Sequence, residues 1–498
     1  MTAPASAEPP PAIAALREHL GRTADLQHAA MLLHWDHQTQ MPPAGAAGRG
    51  AALGTLEELA HERTADPALG TLLDAAAAAG EDPGLVRAVR EDHERAVRVP
   101  SALVGEAAAL SAVAHPAWAA AREADDFAAF APHLRRHVEL ARRYAACFPE
   151  VDHPYDALLQ RFEPGATTAD LRVAFAALRS GLVPLIERIS ARPDPGDLVG
   201  PFPVADQRTL ALEIARSMGF DDAAWRIDEA VHPFMANMGR QDVRITTKED
   251  EATLAIGLFG VLHETGHGLY EAGIDPAWDR TTVGTGTSLG VHESQSRLWE
   301  NMVGRSRALW SHWLPRAQEL FPGPLAGLEL DDVLRRINVV RPSLIRVDAD
   351  EATYCLHVLL RFELEVALVE GTLDVDELPR AWNDGMRDLL GVEVPSDADG
   401  VLQDVHWSEG AIGYFPTYAL GTIIAAQLWA AAHEQLPDLD DAIAAGDLAP
   451  LREWLREHVH RHGRTRTGGE ILVATTGGGL DPQPLLDYLT EKYGALYG

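Results

Sequence analysis

The residues best placed to do chemistry together are His263, Glu264 and His267, in the stretch Val261-Leu262-His263-Glu264-Thr265-Gly266-His267. On a helix, side chains four residues apart lie one turn apart on the same face. Two imidazoles so arranged reach a single zinc ion, and the carboxylate beside the first can act as general base towards an activated water. A catalytic zinc needs a third protein ligand and an open fourth position. Two downstream carboxylates compete for that third place on spacing alone: Glu293, in Val291-His292-Glu293-Ser294-Gln295, and Glu300, two turns further on. With only Cys147 and Cys355, far apart in the chain, a cysteine-rich structural zinc site is excluded.

The spacing predicts a helix to hold the histidines. Asp250 can cap its start, Leu254, Leu258 and Leu262 form its apolar stripe, and Gly273 and Pro276 stop it. Gly266 and Gly268 weaken such a helix and point to close packing at a site. The segment with Glu293 also reads as a helix, with Leu298, Met302 and Val303 inward and Pro315 beyond its end. Helical spacing recurs over Ala12–His34, Ala51–His61, Leu85–Val97, Pro132–Cys147, Thr168–Ala191 and Asp206–Met218. It continues through Asp331–Ile337, Ala349–Leu368, Leu420–Glu434 and Pro484–Tyr493. The best strand is Asp242–Thr246, which alternates polar and β-branched residues. The fold class expected is mainly α, with a small β-sheet beside the His263/His267 site. Residues 1–11, rich in Ala, Pro and Ser, read as a flexible tail, and Pro193–Val204 is either a sub-boundary or a surface loop.

Composition narrows the function classes. Over 498 residues the formal net charge is −32, which repels phosphate backbones and anionic lipid, so neither nucleic acid nor membrane is an expected partner. The few cysteines are expected reduced and buried, and no signal segment is legible, so the expected location is cytoplasmic. The His458, His460 and His462 cluster reads as a solvated helix end.

Beyond the HExxH stretch, several segments resemble the motifs of one family, the carboxypeptidase Taq family of zinc metallocarboxypeptidases. His232-Pro233-Phe234 resembles its HPF element, and Asp242-Val243-Arg244-Ile245-Thr246 its DxRxT. His292-Glu293-Ser294-Gln295 resembles HESQ, and Ile345 to Asp350 resembles IRxxAD. Gly400 to Trp407 resembles GxxQDxHW. Trp35-Asp36 with Met41-Pro42, and Gly413 to Tyr418, extend the likeness from about residue 30 to the C-terminus, most loosely at the N-terminal end.

The resemblance implies a single helical metallocarboxypeptidase domain over 12–498, with a long groove, usually as a homodimer. It implies that Glu293 is the third ligand beside His263 and His267, with zinc as cofactor and cobalt able to substitute. It implies release of single C-terminal residues from peptide substrates, with broad specificity and poor action on proline. Glu264 is then the general base. His406 and Tyr414 are the candidate oxyanion donors. A free C-terminal carboxylate calls for a guanidinium, for which Arg346 is the first candidate and Arg244 the second. Asp242 and Asp350 are candidates for orienting ligands. Two rivals stand: an oligopeptidase or dipeptidyl carboxypeptidase, told apart by its products, and a catalytically silent zinc protein that binds peptides.

Overall fold

The residues that recur at helical spacing, mostly Ala, Leu, Glu and Arg, have high helix propensity, and helices dominate the fold. The structure, a computed structural model, describes residues 9–498. Residues 1–8, most of the expected tail, lie outside that range; the first helix, Pro11–Thr39, opens on a proline whose missing N–H is harmless there. Every helical stretch expected from the sequence overlaps a helix, though the boundaries move: Ala349–Leu368 becomes Tyr354–Glu370, and Leu420–Glu434 becomes Pro416–Gln435.

Among the described residues there is one sheet of three strands: β1 (Trp225–Glu229), β2 (Met235–Asn237) and β3 (Val243–Thr247). β3 lies in the middle, parallel to β1 and antiparallel to β2. β3 matches the expected strand within one residue. Its Val243, with Trp225 of β1, packs against Gly268 of the helix Ala255–Ala272, so the sheet braces the helix of the two histidines.

Among the described residues, three hydrophobic clusters form, the least of them Val99, Leu103 and Leu140, and two matter for the site. The large one runs through residues from Ala114 to Tyr493 and surrounds the histidine helix. A smaller one joins Ile13, Leu16 and Leu20 of the first helix to Leu69, Leu73, Leu85 and Val89. Between them opens a groove of about 1190 Å³, larger than usual for a small-molecule site.

Four expectations are corrected. Asp250 does not cap the histidine helix, which starts at Ala255; instead Thr253 Oγ1 accepts from Ala255 N at 3.2 Å. Pro315 lies inside the next helix, Arg307–Leu320, rather than beyond an end. Cys147 is only half-buried, whereas Cys355 is buried; both are free thiols. In the histidine cluster near the C-terminus, His458 ends a helix and, like His462, is half-exposed, but His460 is only 1% exposed and its Nε2 meets Gln295 Oε1 at 2.8 Å. No single helix among the described residues is long and apolar enough to cross a membrane.

Candidate metal centre

Helical spacing brings His263 and His267 onto one face of Ala255–Ala272, with ring centroids 4.9 Å apart. Glu293 comes from a second helix, Leu289–Arg297, capped by the Ser288 side chain on Val291 N. Two glycines allow the approach. A Cβ on Gly266 would sit 2.7 Å from the Gln295 carbonyl oxygen of that second helix. A Cβ on Gly421, in the helix Pro416–Gln435, would sit 2.6 Å from Cβ of Glu293. Gly266, which weakens the helical pattern, and Gly421 are therefore where three helices come into close approach.

The donor atoms converge. Glu293 Oε2 lies 3.7 Å from His263 Nε2 and 3.5 Å from His267 Nε2. All three donors lie within 4.8 Å of one another, a set that can hold a metal ion. Glu300 does not join them: its Oε2 accepts from His263 Nδ1 at 2.9 Å, behind the ring. This bond leaves His263 Nε2 as the lone-pair nitrogen facing Glu293.

His267 is oriented by a longer chain. Glu271 Oε1 accepts a hydrogen bond from His292 Nε2 at 3.0 Å, and His292 Nδ1 pairs with His267 Nδ1 at 2.6 Å. With Glu271 ionised, its partner His292 donates through Nε2, accepts through Nδ1, and so leaves the lone pair of His267 on Nε2. Glu271 is itself fixed by Asn237 Nδ2, Thr285 Oγ1 and Gly286 N at 2.5–3.0 Å.

The charges fit a cation. Burial opposes a charge on His263, yet Glu293, Glu300 and Glu264 outweigh it and raise its pKa to about 9. Burial also opposes ionisation of Glu293, but Arg297 first, then the two histidines, hold it well below the usual carboxylate range. A negative potential able to keep a proton on a buried imidazole can hold a metal ion there instead. Glu264 is 5% exposed, and burial pushes its pKa up to about 7. Its Oε2 has no hydrogen-bond partner among the described residues. A buried carboxylate oxygen left unpartnered is costly in a purely structural role.

The other expected residues fall on two sides. On the near side, Arg297 donates to Glu293 Oε1 at 2.7 Å and lies over the Tyr354 ring at 4.2 Å. Tyr354 Oη accepts from Arg346 Nη1 at 3.1 Å, and Arg346 donates through Nε and Nη2 to Asp404 Oδ1 at 3.0 and 2.8 Å. Arg346 thus sits one aromatic ring from the cluster, ion-paired but with N–H groups to spare. His406 Nε2 meets Tyr418 Oη at 3.2 Å, and its ring lies 5.3 Å from that of Tyr414. Burial raises the pKa values of Tyr414 and Tyr418, and the negative charge of Glu293 adds to both. On the far side, Arg244 is held by Asp242 at 2.9 and 3.0 Å and lies over Trp35 at 4.4 Å. Asp350 accepts from Ala352 N and Thr353 N at 2.9 and 3.0 Å and caps a turn. Neither hydrogen-bonds His263, His267 or Glu293 among the described residues.

Sequence reasoning passed over Glu271, His292, Asp404 and Glu365. Glu271 had a signal, since it continues the four-residue spacing of His263 and His267. Glu365 had none. It is fully buried and accepts from Tyr155 Oη, Trp407 Nε1 and Gly413 N at 2.6, 2.8 and 2.9 Å, pinning the segments of His406 and Tyr414.

Known proteins carry the same fold over the same length. The family model for carboxypeptidase Taq (M32) metallopeptidase matches residues 15–493. Thermostable carboxypeptidase 1 of Thermus thermophilus is 41% identical, covering 97% of this chain and 98% of the relative. Carboxypeptidase 1 of Bacillus subtilis is 38% identical, covering 96% and 97%. The crystal structure of the M32 carboxypeptidase from Deinococcus radiodurans R1 superposes with a TM-score of 0.95 at 41% identity, covering 97% of this chain and 99% of that one. With its donor cluster, its fold and these full-length matches in agreement, this chain belongs to the carboxypeptidase Taq (M32) family of metallopeptidases.

Proposed function

We propose that the protein is a zinc metallocarboxypeptidase that hydrolyses the last peptide bond of peptides and releases single amino acids. The observation that carries the reading is the convergence of His263, His267 and Glu293 beside the unpartnered Oε2 of Glu264. The three donors hold the ion, and a bound divalent cation supplies Lewis-acid activation of water and of the scissile carbonyl. Glu264 takes the proton of the attacking water and returns it to the leaving amine. His406 and Tyr414 offer hydrogen bonds to the developing oxyanion; Tyr418, bonded to His406, orients it. Arg346 offers its spare N–H groups to the C-terminal carboxylate, while Asp404 and Tyr354 fix the plane of the guanidinium. Arg244 is the second candidate for that role.

Zinc over other ions, cobalt as a substitute, broad specificity with poor action on proline, and a homodimer rest on the resemblance. A cytoplasmic location is supported by two unbridged cysteines. The test is mass spectrometry of a peptide library before and after incubation with the zinc- or cobalt-loaded protein. Successive loss of single C-terminal residues supports the reading. Dipeptide or internal products would move it to an oligopeptidase or dipeptidyl carboxypeptidase.

A further inference from the structure

The groove carries positive charge that the mechanism above leaves unused. Arg161 follows the short helix Pro154–Leu159. It adjoins Phe162, whose carbonyl accepts from Leu289 N at 3.1 Å and whose ring meets that of Tyr414 edge-on at 5.1 Å. The Arg161 guanidinium lies over the rings of Tyr144 and Phe162, 5.1 Å from each centroid. Arg95, from the helix Pro83–Arg98, lines the same groove, as does His292 beside the metal cluster. Burial lowers the pKa of Arg161, and repulsion from Arg95 adds to it.

Neither arginine makes an ion pair or side-chain hydrogen bond among the described residues. Partners are not scarce, because Asp and Glu outnumber Lys and Arg by 74 to 42. The acids of the groove are turned elsewhere: Asp92 to Arg464 at 2.8 Å, Glu271 to His292, and Glu409 towards His115 at 3.8 Å, while Glu57, on the helix Ala46–Ala65, acts on His34. Glu91 feels the field of Arg95, but Arg87 and Arg464 act on it as well. Arg161 is exposed and Arg95 half-buried, so water reaches both as it reaches unpaired surface arginines such as Arg188 and Arg335; what sets the two apart is that they line one groove together. Two cations on the wall of one groove, neither held by a carboxylate, give it a positive potential that attracts an anion. A guanidinium lying over aromatic rings keeps its N–H edge available for a planar carboxylate.

We propose that Arg161, assisted by Arg95, forms a subsite for an acidic side chain of the peptide upstream of the bond that is cut. The upstream placement rests on the reading as a carboxypeptidase. One residue lies beyond the scissile bond in such an enzyme, while the groove of about 1190 Å³ accommodates several, so most of it receives upstream residues.

The test uses the metal-loaded full chain and short peptides with a common C-terminal residue, with Glu, Gln or Lys walked through the upstream positions. At one position Glu should exceed Gln in kcat/KM by roughly 5- to 50-fold, chiefly through KM, with Lys disfavoured and the effect shrinking in salt. Arg161→Gln should bring the Glu/Gln ratio near unity, Arg161→Glu should turn the preference to Lys, and Arg95→Gln should reduce it partway. Each ratio is taken within one variant, so general damage cancels. The absence of any Glu preference in the wild type, or its survival in Arg161→Gln, overturns the subsite. If Arg161→Gln instead abolishes discrimination between free and amidated C-termini, Arg161 binds the terminal carboxylate and the proposal also fails. Anisotropy of labelled Glu and Gln peptides bound to the Glu264→Gln protein reads the same preference without cleavage. A preference there that Arg161→Gln removes, in a protein that releases no amino acids, would uphold the subsite and refute the peptidase reading.

Discussion

Two helices of similar length, 20 and 18 residues, meet opposite fates in this molecule. Ala46–Ala65, rich in Ala, Leu and Glu, has no buried residue. Ala255–Ala272 buries residues on nearly every face, among them Glu264 and Glu271. The first belongs to a groove wall anchored mainly at one end: Pro11–Thr39 buries Ile13, Leu16 and Leu20 early on and little but Trp35 in its second half. The contrast shows where chemistry can be fixed. A charged group on the exposed wall is solvated and free to move, whereas in the body each one needs a partner whose position packing dictates. The ion pair Glu293–Arg297 and the hydrogen bond from His292 to Glu271 are the result, and the same burial leaves Glu264 Oε2 without a hydrogen-bond partner among the described residues.

The comparison is broken most directly at the ligands. His263→Ala, His267→Ala and Glu293→Ala should each drop bound metal well below one per chain and abolish turnover. His292→Ala and Glu300→Ala should keep the site but weaken metal affinity by about 10- to 100-fold, read by metal titration. Normal binding in Glu293→Ala combined with loss in Glu300→Ala would reverse the ligand assignment. Next in size is Glu264→Gln, which should retain metal and lose activity by about 10²-fold or more. Near-normal turnover of that metal-loaded variant would exclude Glu264 as the base.

Arg346 sharpens the contrast between a charge that only holds structure and one that meets substrate. Amidating the peptide C-terminus should reduce kcat/KM by roughly 10- to 150-fold in the wild type. In Arg346→Ala most of that discrimination should vanish. Because this variant leaves Asp404 facing Arg361 alone, Arg346→Lys serves as a second variant that retains the charge and loses the planar fork. Discrimination that persists in both points to Arg244.

Glu365 tests burial through pH. Burial raises its pKa to about 7 in the folded state, above the ordinary 4.5. The native chain therefore holds a proton that the unfolded chain releases. Stability from this group is fullest below the ordinary carboxyl pKa, declines as pH rises towards 7, and is level above that. Glu365→Gln should flatten the slope of denaturant stability between about pH 5 and 7; an unchanged slope would show that another group titrates there. The smallest effect belongs to the wall. Leu59→Ala, 43% exposed, should change stability by no more than about 0.5 kcal/mol. Leu258→Ala, in the body, should cost about 2–5 kcal/mol in the same urea titration. Equal costs would mean that the wall is packed as tightly as the body.

What lies close in sequence was legible in it. The period of the α-helix alone places His263, Glu264 and His267 on one turn, and the alternation of Asp242–Thr246 gives β3. The strands β1 and β2 escaped because neither Trp225–Glu229 nor the three-residue Met235–Asn237 has the β-branched run of β3, and pairing with β3 rather than their own pattern makes them strands. The π-helical stretch Leu298–Val303 likewise left no mark in the apolar spacing, yet it carries Glu300 behind His263. Between Glu293 and Glu300 the sequence offers two carboxylates on one helical segment, and only the packing of Gly266 and Gly421 against that segment turns Glu293 inward. Asp404 beside Arg346, and His460 beside Gln295 at a separation of 165 residues, depend on how distant helices stack. The reason is physical: local spacing is set by backbone geometry shared by all helices, whereas the partner of a buried charge is chosen by the close packing of the whole chain.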